Sequence, residues 1–246
     1  MDRVLVLTDN EYLFNNFTKI VENKHLQQYR FDFRFSPKNK QFLDKYREST
    51  QFSGISVIES LEEIILQYKL LISLHCKQIF PSKLVTAVRC INIHPGFNPY
   101  NRGFFPQVFS IINKKKVGVT IHEMDEELDH GPIIVREEVP IESWETSGDV
   151  YRRILRTEIR LIEENLEDML NGTYKLTYPE EEGNINSFKD FKRLCKINPS
   201  EVATYIEVID RLRALTHDDY RNAYFYDENG MKMFVRIHIE PSLGDD

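Results

Sequence analysis

The sequence predicts an α/β chain: a mostly parallel sheet with helices on both faces, followed by a small α+β appendage that ends in a β-hairpin. Three observations lead there. Short, largely apolar runs at residues 4–7 (VLVL), 70–74 (LLISL) and 88–93 (VRCINI) read as strands buried on both faces. Amphipathic stretches with three- and four-residue apolar spacing lie between them. Near the C-terminus, two strand-like runs flank Asp227-Glu228-Asn229-Gly230, a strong hairpin signal.

Residues 4–7 end at Thr8-Asp9-Asn10, where Asp9 or Asn10 can cap a helix carrying Leu13, Phe14, Phe17, Ile20 and Val21 on one face. Residues 31–35 (FDFRF) alternate with period two, as an edge or half-buried strand does. Residues 59–67 read as a helix, and the strands at 70–74 and 88–93 follow. A loop rich in Pro, Gly and Asn spans 95–106, overlapping the start of the helical FPQVFSIIN. Two more strands, 117–122 and 133–135, are divided by an acidic loop. From 146 to 170, Val150, Ile154, Leu155, Ile159, Ile162, Leu166 and Met169 mark a long helix, which Asn171-Gly172 stops. Residues 173–186 read as a polar linker, followed by helical segments at 187–196 and 200–212. The expected organisation is a Rossmann-like domain at 1–175 and a segment of helices and hairpin at 187–246.

Composition narrows the function classes. The chain has 246 residues, with 32 basic and 39 acidic side chains for a net charge of −7. That balance argues against a bulk nucleic-acid binder. No apolar run approaches a membrane span, and the charged start runs straight into a strand rather than a signal peptide. Cys76, Cys90 and Cys195 are too few and scattered for a disulfide framework or a zinc site, so a cytoplasmic protein without a metal is expected.

Parallel sheets place ligands beyond the carboxyl ends of their strands. One such end is Ile91-Asn92-Ile93-His94-Pro95-Gly96. Period-two alternation sets Asn92 and His94 on one side of the strand; Pro95 ends it, and Gly96 lets backbone approach a ligand. An amide beside an imidazole offers a donor for a developing oxyanion and a group that can take or return a proton. The second stretch runs from Gly118 to Ile134, with five acids between 123 and 129 and then Asp129-His130-Gly131-Pro132. Its carboxylate is placed to hold a histidine's protonation state or orient a water. His122-Glu123 does not complete a His-Glu-x-x-His zinc motif, because residue 126 is Glu. His130, next to Asp129, is a weaker candidate.

Asn-x-His-Pro-Gly followed, 35 residues after the histidine, by Asp-His-Gly-Pro-Ile-Ile resembles the folate-dependent formyltransferases. Asn101-Arg102-Gly103-Phe104-Phe105-Pro106 and Gly118-Val119-Thr120-Ile121-His122 resemble the same family. The likeness covers residues 1–170 and is strongest from 70 to 140. It implies the formyltransferase fold and transfer of a formyl group from N10-formyltetrahydrofolate to an amine, with Asn92, His94 and Asp129 as the catalytic triad. His94 would act as general base or oxyanion donor, and Asp129 would tune it or relay a proton.

Three branches of that family compete. The glycinamide ribonucleotide branch holds phosphate with a Gly-Ser-Asn turn, where this chain has Thr8-Asp9-Asn10 and an added carboxylate. The tRNA branch carries a basic C-terminal domain, which this acidic tail does not match. Residues 213–216 and 222–226 with the hairpin resemble the nucleotide-sugar branch, usually homodimers acting on dTDP-linked amino-dideoxy sugars for O-antigen lipopolysaccharide. The implied acceptor is dTDP-4-amino-4,6-dideoxyglucose, with a dTDP-3-amino-3,6-dideoxyhexose as the alternative. Behind these stand a glycinamide ribonucleotide acceptor and a binding module without catalysis. By position, Ile79, Phe80, Pro81, Met124, Asp125 and Gly131 would contact folate; Lys77, Gly103 and Tyr224 would contact the nucleotide sugar. Tyr226 and Trp144 are further aromatic candidates, and Phe225, Phe234 and Ile237 would pack against a second chain.

Overall fold

The computed structural model describes residues 2–49 and 52–242. Contacts divide the chain into two compact units, each assembled from separate stretches. The first comprises residues 1–94, 120–136 and 157–180; the second comprises 95–119, 137–156 and 181–246.

The first unit opens with β1 (Asp2–Thr8), α1 (Glu11–Asn23), β2 (Tyr29–Phe35), α2 (Lys40–Lys45), β3 (Phe52–Gly54), α3 (Leu61–Gln67), β4 (Leu70–Leu74), α4 (Ser82–Ala87) and β5 (Arg89–His94). The next elements are β6 (Arg102–Gly103), α5 (Pro106–Asn113), β7 (Gly118–Glu123), β8 (Ile133–Glu138) and α6 (Ser147–Asn171). The chain finishes with β9 (Ile185–Asn186), α7 (Phe188–Cys195), α8 (Tyr205–Leu215), β10 (Tyr224–Tyr226) and β11 (Lys232–Phe234).

Seven strands form one sheet in the order β3-β2-β1-β4-β5-β7-β8. Strands β1 to β5 pair in parallel, and β7 runs antiparallel to β5. The sheet is therefore mostly parallel, as the buried apolar runs require. The order reverses about β1 and β4, the switch at which open α/β sheets hold ligands. All five residues of β4 are buried. Leu5, Leu7, Leu71, Ile64, Leu84 and Cys90 form a core cluster on one side. Of the two readings of FDFRF, half-buried holds and edge does not: β3 pairs outside it, in parallel. Phe35, Phe42 and Phe52 pack there as a second cluster, with Phe14 stacked on Phe52 at 4.1 Å between centroids.

Asn10 caps α1, its side chain accepting from the Leu13 amide at 3.1 Å. Asp9 does a different job. It accepts from the Ser36 amide at 3.0 Å, Asn39 Nδ2 at 3.0 Å, the Lys77 amide at 2.8 Å and the Ser36 hydroxyl. One carboxylate thus pins the turns after β2 and β4.

In the second unit Asn101 is fully buried in the left-handed region (φ 52). Its Oδ1 accepts from Asn184 at 2.8 Å, Asn186 at 3.1 Å and Asn113 at 2.8 Å. This cluster fastens β6 beside β9, so residues 173–186 are not a free linker. Within the first unit, Thr177 likewise bridges to Ile133. Arg213 is buried, donating to Asp210 at 2.8 Å and to the carbonyls of Glu142 and Glu145 at 3.0 and 2.8 Å. Strands β10 and β11 form the expected hairpin, with Tyr224 opposite Phe234. Among the described residues, no helix is long and apolar enough to cross a membrane.

Candidate active site

The site grows from β5 and the loop between β7 and β8. Cys90, Ile91 and Ile93 are buried, and Asn92 and His94 occupy alternate positions toward the strand's carboxyl end. The antiparallel register sets Asn92 opposite His122 and His94 opposite Thr120. The loop is drawn tight at its base: the Glu123 amide donates to the Pro132 carbonyl at 2.9 Å and the Met124 amide to the Cys90 carbonyl at 2.8 Å. Its turn places Asp129 in the left-handed region, φ 49. Aspartate is among the non-glycine residues that most readily take up this conformation.

Asp129 reaches both partners. Asn92 Nδ2 donates to Asp129 Oδ1 at 2.9 Å, while His94 Nδ1 lies 3.5 Å from Asp129 Oδ2. The second distance is an ion-pair contact rather than a full hydrogen bond. With the carboxylate facing Nδ1, the proton is favoured there, and Nε2 is left as the nitrogen suited to accept one. His94 and its partner are nearly dry: their side chains are 4% and 9% exposed. In such surroundings a proton donor or acceptor is worth more than in water.

His130 pairs away from Asp129, its Nδ1 lying 2.6 Å from Asp125 Oδ2. The histidine next to Asp129 in sequence thus belongs to a separate, half-exposed pair. Gly131 is buried, and a Cβ there would lie 2.0 Å from the Glu123 carbonyl oxygen. Gly103 has φ +87, and a Cβ would meet the Asn186 carbonyl oxygen at 2.6 Å. Both glycines have packing reasons of their own. Lys77 is exposed and leaves the sheet beside Asp9. Phe80 and Met124 pack on the same core cluster, Pro81 leads into α4, and Ile79 is 81% exposed. Tyr224 lies in the hairpin under Lys232, whose Nζ is 3.7 Å from the ring centroid. Burial pushes the Cys76 thiol up to about 11 and that of Cys90 to about 12, so neither is a thiolate nucleophile at neutral pH.

Two functional-looking groups were not expected. His122 is one: 1% exposed and 3.3 Å from Asn92 through Nε2. The signal was alternation, since Thr120 and His122 share a face just as Asn92 and His94 do. The other is a buried pair, His75 Nε2 to Glu158 Oε1 at 2.7 Å, with Glu158 fully buried on α6. Glu158 lies four residues from both Ile154 and Ile162, on the helix's apolar stripe, which is where a purposeful carboxylate betrays itself.

An amide, an imidazole and a carboxylate thus gather at a strand end of a mostly parallel sheet, a set of groups whose chemistry suits acid–base group transfer. The family model described as Formyl transferase matches residues 17–166, and the one described as N-formyltransferase dimerization C-terminal domain matches residues 190–241. The chain belongs to the formyl transferase family and is an N-formyltransferase. It is 54% identical over 185 residues to a dTDP-4-amino-4,6-dideoxyglucose formyltransferase of Mycobacterium bovis, covering 75% of this chain and 79% of that one. Among solved structures, it resembles a sugar N-formyltransferase from a Shewanella species (TM-score 0.94, 45% identity, 98% of this chain and 99% of that one). A 4-N formyltransferase from Francisella tularensis is similar (TM-score 0.93, 44% identity, 98% of each chain).

Proposed function

We propose that the chain transfers a formyl group from N10-formyltetrahydrofolate to the amino group of a dTDP-linked amino-dideoxyhexose, with dTDP-4-amino-4,6-dideoxyglucose first among acceptors. The observation that carries this reading is the meeting of Asn92, His94 and Asp129, 37 residues apart in sequence at the extremes, around one carboxylate. The names of the Mycobacterium and Francisella relatives support the 4-amino position. The physiological setting proposed is O-antigen lipopolysaccharide sugar assembly in the cytoplasm.

The chemistry suits the residues. The acceptor nitrogen bonds to the formyl carbon, that carbon's bond to folate N10 breaks, and one proton moves from the amine to the departing nitrogen. His94 takes the amine proton, Asp129 stabilises the imidazolium that results, and Asn92 holds Asp129 in place. Lys77 is assigned to the sugar diphosphate. Ile79, Phe80, Pro81, Met124, Asp125 and Gly131 are assigned to the folate side, Ile79 being apolar surface open for a ligand to cover. Residues 1–175 form the catalytic domain and 187–246 the segment that joins two copies.

The test is to incubate the protein with the formyl-folate and a panel of dTDP- and UDP-linked 3- and 4-amino sugars, with glycinamide ribonucleotide alongside. The expected product is the 4-amino sugar heavier by one CO unit. Transfer only to glycinamide ribonucleotide, or to nothing, would overturn the assignment.

A further inference from the structure

We infer that His122 is a positioning residue for formyl transfer, fixing the direction in which the Asn92 amide faces. The inference rests on the assignment of Asn92 and His94 to catalysis made above. His122 stands on β7 directly across from Asn92 on β5, with its side chain 1% exposed. Its Nδ1 lies 2.8 Å from the Glu123 carbonyl oxygen. A carbonyl only accepts, so Nδ1 carries the hydrogen, and in the neutral ring Nε2 carries a lone pair. That lone pair stands 3.3 Å from Asn92 Nδ2. The same nitrogen donates to Asp129 Oδ1 at 2.9 Å. Turning the amide over would set its oxygen against a carboxylate and an imidazole lone pair at once. Two acceptors, on different segments, therefore hold one orientation.

A protonated His122 would set N–H against N–H and release that hold. Burial works against protonation and lowers the imidazole's pKa; Asp129 and Asp125 pull it up, and His94 pushes it down. The desolvation of a buried ring is the largest of these effects, so the acceptor is kept. Simple packing would not need the lone pair, since a phenyl ring fills the same volume.

His122→Phe keeps the ring and removes the acceptor, whereas His122→Gln can return an acceptor near the Nε2 position. The phenylalanine variant is expected to lose about 10- to 100-fold in kcat, with KM for both substrates within about threefold. The glutamine variant should recover to within about fivefold of the parent. In an Asn92→Ala background, His122→Phe should change kcat by less than about twofold. Additive losses, or parental kcat in the phenylalanine variant, overturn the inference. Should that variant fail to fold, imidazole nitrogen-15 shifts of the parent chain decide: His122 must show protonated Nδ1 and bare Nε2 at neutral pH, and the reverse tautomer overturns it. The expected tautomer in a chain that formylates nothing overturns the functional reading, and the catalytic purpose of His122 with it.

Discussion

Asp129 serves two neighbours with one carboxylate, and the geometry predicts what its loss would do. Its oxygens are divided between Asn92 and His94, so Asp129→Asn keeps the shape but gives up the charge that favours a proton on His94 Nδ1. Asn92→Ala, His94→Ala and Asp129→Asn are each expected to lose at least ~100-fold in turnover, while melting within a few degrees of the parent. Near-parental turnover from all three would refute the assignment. These residues were legible because each announces itself locally: alternation aligns Asn92 with His94, and Asp129 opens an unusual Asp-His-Gly-Pro run at a strand mouth. His122 was only half legible: alternation sets it on one face with Thr120, but its significance depends on β7 lying antiparallel beside β5, a pairing that no local pattern encodes. His130 shows the converse. Adjacency to Asp129 in sequence suggested a pair, but neighbouring side chains diverge where the backbone turns, and His130 turns to Asp125 instead.

The elements that could be read from sequence are those whose periodicity runs for several residues. β1, β4, β5, α1 and α6 declare themselves by apolar runs or stripes. The six-residue helices α2 and α4 and the three-residue β3 are too short to show a period, and packing and pairing with neighbours decide them. The apparent linker hid its role for a related reason: Asn184 and Thr177 act through contacts with segments distant in sequence, which no local pattern marks. The element most exposed to a test is the loop carrying Asp129. Its base closes over Gly131, where an added methyl would sit 2.0 Å from the Glu123 carbonyl oxygen. Since the obstacle is backbone, the loop must move. Gly131→Ala is expected to cost about 2–4 kcal/mol of stability by denaturant unfolding and to depress turnover as strongly as a triad variant. An alanine variant with parental stability and turnover would mean that the loop base yields cheaply.

At the scale of the whole molecule, two properties follow from what is left exposed and what is buried. Val202, Tyr205, Ile206, Val208 and Ile209 are between 37% and 98% exposed on and before α8, a run of exposed apolar side chains of the kind that marks an interaction surface. It lies in the segment matched by the dimerization model. A homodimer is expected at micromolar concentration, and Ile206→Asp is expected to shift the mass by light scattering toward the monomer. A monomeric parent would remove the dimer. Burial sets the pH response. His122 and His217 are both pushed below the ordinary imidazole value, chiefly by desolvation. The unfolded chain therefore binds more protons than the folded one below about pH 6.5, so stability falls on acidification from there. Glu158 works in the opposite sense: burial raises its pKa, and its protonation favours the fold as pH falls toward about 4.5. Burial pulls Asp32, Asp149 and Asp210 upward, but their hydrogen-bond and cationic partners together outweigh it and hold them below the usual carboxylate value, so their contribution persists until lower pH and then fades. Two histidines against one glutamate predict that the urea midpoint falls between about pH 7 and pH 5.5, and that His217→Gln flattens the slope. A midpoint that rises over that interval would mean that Glu158 outweighs both imidazoles, and Glu158→Gln would then reverse it.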